Sequence, residues 1–150
     1  MLGTQASVAL VTLTERKTRT TLVAKVNSRT ADQVATAIIT LLTPLKAFVR
    51  TITFDNGKEF TGHEAIAKTL NADCYFADPY SSWQRGLNEN TNGLLRQYFP
   101  KGKSLDSVTD KDVAFAVNRL NTRPRKYLEW QTPHQALKAA AKKHGVALRT

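Results

Sequence analysis

Residues 7–14 (SVALVTLT) concentrate β-branched and apolar side chains and predict a strand. The charged run Glu15-Arg16-Lys17-Thr18-Arg19 predicts a turn, and residues 20–26 (TTLVAKV) predict the returning strand of a hairpin. Thr30-Ala31-Asp32-Gln33 has the spacing of a capping box. It opens an amphipathic helix with Val34, Ile38, Leu41 and Leu42 on one face, and Pro44 stops it. Residues 48–54 predict the next strand, with Asp55-Asn56-Gly57 as a turn at its carboxyl end. Thr61-Gly62-His63-Glu64 repeats the capping pattern and begins a short helix through Leu70. Residues 73–77 read as a short buried strand closed by Asp78-Pro79.

From here the pattern is helical. Ser81 and Ser82 are candidate N-caps, and Leu87, Thr91, Leu94, Leu95 and Tyr98 mark the inner face of a helix ending at Pro100. Lys101-Gly102-Lys103-Ser104 is a basic loop, and Thr109-Asp110-Lys111-Asp112 opens a helix with Val113, Val117 and Leu120 inside. Residues 121–131 (NTRPRKYLEWQ) predict an extended, basic and aromatic connection. Thr132-Pro133 is a cap with proline at the first helical position, leading an alanine-rich helix to about Lys143. Two strands, a helix, a strand, a helix, a strand and then helices make an α/β pattern. An antiparallel hairpin leading into parallel strands predicts one mixed sheet with helices on its faces.

Charge sharpens this picture. The 150 residues carry 22 Lys and Arg against 12 Asp and Glu, a formal charge of +10. Such a domain attracts polyanions, because each neutralised phosphate releases condensed counterions. No apolar run is long enough to span a membrane, and no secretory leader is visible, so a cytoplasmic, nucleoid-associated protein is expected. Cys74 is the single cysteine, set in an apolar run, which predicts a buried core thiol and no zinc ligand set.

Two acids stand out by position. Asp55 falls where a buried strand ends, the usual place for a site in an open α/β sheet. Asp-Asn-Gly is equally a common turn in which the aspartate bonds its own backbone. Glu89, Gly93 and Arg96 share one helix face at i, i+4 and i+7, away from the apolar stripe. That layout suits a carboxylate on a divalent metal, a cation on phosphate, and a glycine that lets a backbone approach. Two-metal phosphoryl transfer needs oxygen ligands from several carboxylates, and Mg²⁺ suits it because it keeps sites open for substrate oxygens. Two acids are too few, so a third is expected. Arg85, Arg96, Lys101, Lys103, Arg123, Arg125 and Lys126 are candidate DNA contacts, with a solvated charged surface as the alternative. Tyr127 and Trp130 beside the last three either stack on nucleic acid or pack the final helix onto the core.

Phe54-Asp55-Asn56-Gly57-Lys58-Glu59-Phe60, the run from Tyr75 to Gly86, Asn88-Glu89-Asn90-Thr91-Asn92-Gly93-Leu94 and Arg96 to Lys101 together resemble the catalytic core of DDE transposases and integrases. Leu120-Asn121-Thr122-Arg123-Pro124-Arg125-Lys126, Gln131-Thr132-Pro133 and the hairpin from Leu10 to Arg19 extend the likeness, which is nearest to bacterial transposases of insertion-sequence family thirty. The resemblance covers residues 1–138, with residues 139–150 as the end of the last helix and a tail. It implies a ribonuclease-H-like fold, DNA cleavage and strand transfer with Mg²⁺ or Mn²⁺, and transposon-end and target DNA as partners. Asp55 matches the family's second acid and Glu89 its third. Arg96 falls where relatives meet the DNA end, and Tyr80, Ser82, Trp83 and Gln84 fall in the segment near that end.

The family's first acid lies on a central strand just before the segment that begins here as Leu2-Gly3-Thr4-Gln5. Glu15, Asp32 and Asp78 are poor substitutes, placed at a hairpin turn, in a helix first turn and before a proline. The expectation is therefore a core lacking its first strand and first acid, inactive alone, acting as a homo-oligomer or paired with full-length transposase. The alternative expectation is a non-catalytic DNA-binding or transposase-interacting remnant.

Overall fold

The computed structural model describes residues 2, 8–81 and 86–145. Strands β1 (Ala9–Thr14) and β2 (Thr21–Val26) form an antiparallel hairpin, in register from Ala9 opposite Val26 to Thr14 opposite Thr21. Helix α1 (Ala31–Leu42) follows, then β3 (Thr51–Phe54), α2 (His63–Leu70) and β4 (Asp73–Phe76). The β3–α2–β4 unit pairs its strands in parallel, Thr51 opposite Asp73 and Phe54 opposite Phe76. Helices α3 (Gly86–Leu95), α4 (Asp110–Asn121) and α5 (Pro133–Lys143) complete the described chain.

The period-two alternation of β1 decides the layering. Ala9 and Val11 join Val34 and Ile38 of α1, Ile52 and Phe54 of β3 and Ile66 of α2 in one buried cluster. Leu10 points the other way, into a second cluster with Leu95, Phe99, Val113 and Leu120. The strands are thus sandwiched between α1 and α2 on one side and α3 and α4 on the other. Each of the best-buried leucines and isoleucines contributes about 1.5–3 kcal/mol by leaving water.

Several sequence expectations change. The strands form two separate two-stranded sheets, not one mixed sheet, because no described strand lies between β1 and β3 to bond both. The clusters join them through side chains instead. On the edge of β1 away from β2, Leu2 makes an isolated antiparallel bridge: Leu2 N–H donates to Leu10 O at 3.0 Å, and Leu10 N–H donates to Leu2 O at 2.8 Å. Strand β3 starts at Thr51, not residue 48, since Phe48 and Val49 still donate back to the turn at Leu45. Strand β4 is not buried. It has only β3 beside it, leaving Tyr75 55% and Phe76 40% exposed and Cys74 half-buried.

Two of the expected caps fail for local reasons. Gln33 accepts from Ser28 N–H at 3.0 Å, and Thr30 makes no side-chain cap. Thr61 is absorbed by the 3₁₀ turn Lys58–Phe60, so α2 starts after Gly62. The boxes Thr109/Asp112 and Thr132/Gln135 both form. Residues 121–131 are not extended. Arg125 O accepts from Leu128 N–H and Trp130 N–H, and Arg125 N–H donates to Gln131 O, closing a compact loop around the 3₁₀ turn Lys126–Leu128. Glu129 and Trp130 take left-handed φ values of 53° and 67° to close it.

Candidate functional site

The acidic turn after β3 is fastened on both sides. Phe54 O accepts from Ala77 N–H at 2.8 Å, and Asn56 Nδ2 donates to Ala77 O at 2.9 Å, tying the turn to the end of β4. Asp55 is half-buried, and its Oδ1 accepts from Gly57 N–H at 3.1 Å, the self-bonding turn that Asp-Asn-Gly favours. This bond fixes the carboxylate while leaving acceptor capacity on an anionic group with two oxygens. Sequence reasoning passed over Glu59. A Cβ added to Gly57 would lie 2.5 Å from Glu59 Oε2 and 3.0 Å from Asp55 Oδ1, so both carboxylates crowd one glycine. Its place four residues after Asp55, across a tight turn, was the available signal.

Helix α3 is docked on β1 by amides. Thr12 Oγ1 donates to Asn92 Oδ1 at 2.9 Å, and Thr14 Oγ1 donates to Asn88 Oδ1 at 3.3 Å. An i, i+4 pair on the helix therefore meets an i, i+2 pair on one strand face. With Asn88 and Asn92 on β1 and Thr91 and Leu95 buried, Glu89 and Gly93 are left exposed, and Arg96 is half-buried at the helix end. Arg96 N–H still donates to Asn92 O, continuing the helical ladder, and its Nη1 reaches Phe99 O at 3.5 Å. Nothing lies within 4 Å of a Cβ built on Gly93.

The other candidates divide into three sets. Lys101 and Lys103 are exposed in the loop beyond α3, and Tyr80 is fully exposed with φ +60°. Arg123 is exposed, while Arg125 and Lys126 line a cleft with Arg19 and Tyr127. Gln84 and Arg85, with Ser82 and Trp83, lie outside the described residues. Burial, with Arg123 nearby, pushes the Arg125 guanidinium below its usual value. Tyr127 does not pack α5 onto the core: its ring lies under Arg19, with the guanidinium carbon 3.7 Å from the centroid, and Trp130 is 68% exposed. Among the described residues no group of three or more His, Cys, Asp and Glu side chains is arranged to hold a metal ion. No described helix is long and apolar enough to cross a membrane.

No protein-family model matches the sequence. Over 147 residues, 98% of this chain, it is 43% identical to the transposase for insertion sequence element IS4351 of Bacteroides fragilis. Over 140 residues, 93% of this chain, it is 37% identical to transposase InsI for insertion sequence element IS30A of Escherichia coli strain K12. The chain is a homologue of insertion-sequence transposases. It spans less than half the length of these curated relatives, 45% of the first and 35% of the second. The fold of this transposase homologue is that of integrase catalytic cores. It matches the catalytic core domain of BIV integrase with a TM-score of 0.66 at 22% identity, over 90% of this chain and 89% of that one. It also matches a chain of the simian T-cell lymphotropic virus intasome, solved with the PP2A regulatory subunit B56 gamma, with a TM-score of 0.68 at 19% identity, over 85% of this chain and 47% of that one. The ribonuclease-H-like, mixed α/β expectation therefore holds.

Proposed function

We propose that this chain is the part of a DNA transposase that carries the carboxylates of strand cleavage and transfer, acting on mobile-element ends and target DNA. Helix α3 carries the reading. Its amide pair on Thr12 and Thr14 turns the Glu89–Gly93–Arg96 face outward, in a chain 43% identical to a transposase. On this reading Glu89 and Asp55 supply carboxylate oxygens for Mg²⁺ or Mn²⁺. Arg96, Arg85, Lys101, Lys103, Arg123, Arg125 and Lys126 contact phosphates, and Tyr80 and Gln84 lie near the DNA end.

The donor type fits a hard divalent ion, but the donor number does not, since no described group of three acids or imidazoles exists. The 150 residues by themselves are therefore inactive, or nearly so, in strand transfer, and act as a homo-oligomer or with a full-length transposase. The same shortage supports the second reading, a DNA-binding or transposase-interacting module without catalysis. Both predict binding to duplex DNA whose log K falls linearly with log salt.

The test pairs duplex binding across a salt series with a strand-transfer assay in Mg²⁺ and in Mn²⁺. Salt-sensitive binding without strand transfer is expected. Absence of DNA binding at low salt contradicts both readings, and strand transfer abolished by Asp55→Asn contradicts the inactivity.

A further inference from the structure

Away from the acidic face, the loop after α4 and the hairpin turn close a cleft of about 260 Å³ against α3. Leu87, Asn90, Thr91 and Leu94 form its floor at i, i+3, i+4 and i+7. This stripe lies roughly 130° around the helix axis from Glu89–Gly93–Arg96, at 3.6 residues per turn. The walls are Arg19 from the hairpin turn, with Arg125, Lys126 and Tyr127 from the loop. Three cations thus converge on one concavity, and among the described residues no carboxylate lines it.

The guanidinium groups are incompletely satisfied. Arg19 Nε and Arg125 Nε are both buried without a hydrogen-bond partner. Arg125 spends Nη2 on Leu120 O at 3.2 Å, and Arg19 is held flat over the Tyr127 ring at 3.7 Å. Stacking fixes the plane of one guanidinium, and the carbonyl fixes the other. A buried charged N–H without an acceptor is unfavourable, so an anion with several oxygens is the natural complement. Guanidinium forks match the oxygens of phosphate better than a point-charge ammonium does. The φ of +61° at Arg19 is a left-handed backbone that a non-glycine residue seldom takes, and here it delivers the side chain to the cleft.

We propose that this cleft binds a phosphate group, held by Arg19, Arg125 and Lys126, on the side of α3 away from Glu89. The proposal rests on the DNA reading above only for the phosphate's source. A duplex backbone would supply a phosphodiester at a second anchoring point, and a free phosphate or phosphomonoester would supply the same oxygens alone.

The 150-residue chain is titrated with inorganic phosphate at ionic strength held constant with chloride, following the Nε–H signals of Arg19 and Arg125 by NMR. A parallel titration uses a short mixed-sequence duplex. Saturable shifts of both signals with either probe are expected, lost in the Arg19→Gln/Lys126→Gln double variant. For the duplex, that variant's slope of log K against log salt is expected to fall by about one unit per phosphate contact removed, or about two. Saturation by phosphate without duplex binding supports the cleft as a free-phosphate site while counting against the DNA reading. Shifts that merely track ionic strength with both probes overturn the proposal. Lys126→Gln alone, at an exposed position, keeps the test valid if the change at Arg19 unfolds the turn.

Discussion

The side chain of Asn121 bonds both polar groups of the Thr21 backbone: Oδ1 accepts from Thr21 N–H at 2.8 Å, and Nδ2 donates to Thr21 O at 2.8 Å. One amide at the end of α4 thus behaves like one residue of an added strand against β2, across 100 positions of sequence. Asn121 is only 4% exposed. Replacing it with leucine of similar size keeps the packing but strands a buried donor and acceptor. Asn121→Leu is expected to lower stability by roughly 2–4 kcal/mol, on a cost of about 1–3 kcal/mol per unsatisfied buried group. Chemical denaturation checks this, with a lower midpoint at unchanged slope as the expected result.

Gly93 separates stability from function. It lies inside α3 with open space where a Cβ would go. Gly93→Ala is expected to stabilise the fold by about 0.5–1 kcal/mol, as the better helix former. If a DNA backbone approaches between Glu89 and Arg96, the added methyl weakens duplex binding on the order of tenfold, which is about 1.4 kcal/mol. Thermal melting and duplex titration of the same variant read the two effects in opposite directions.

Glu15 predicts an acid-side loss of stability. Burial opposes its charge, but Lys17 N–H, Thr18 N–H and Thr18 Oγ1 together outweigh burial and hold the carboxyl below its ordinary value. A depressed folded pKa stabilises above the unfolded value of about 4.3 and ceases to as pH falls through the folded value. Glu15→Gln should therefore melt lower than the parent at pH 7, with the difference shrinking as pH falls below about 4.3. A gap that stays constant down to pH 3 contradicts this assignment.

Elements with strong local signals were readable in the residues: the hairpin from its β-branched runs, α4 and α5 from caps that form as written, and α3 from its apolar stripe. The failures share a cause, which is that tertiary partners decide them. Residues 73–77 are apolar enough for a buried strand, yet β4 has no neighbour beyond β3. Gln33 has cap spacing but finds Ser28 first. Of the site, Asp55 and the outward face of α3 were legible from turn chemistry and helical periodicity. The partnership of Arg19 with Arg125 and Tyr127 was not, because it joins a hairpin turn to a loop over 100 positions later.

The central claim is that Asp55 and Glu89 serve one metal-dependent DNA site, and Mn²⁺ titration followed by NMR tests it most directly. Paramagnetic broadening falls steeply with distance from the ion, so a shared ion must mark both carboxylates at once. The account predicts that amide signals around Asp55–Gly57 and around Asn88–Asn90 broaden together at the same Mn²⁺ concentration, and that Asp55→Asn abolishes both. Broadening confined to one of the two segments, or undiminished around Glu89 in Asp55→Asn, would contradict it.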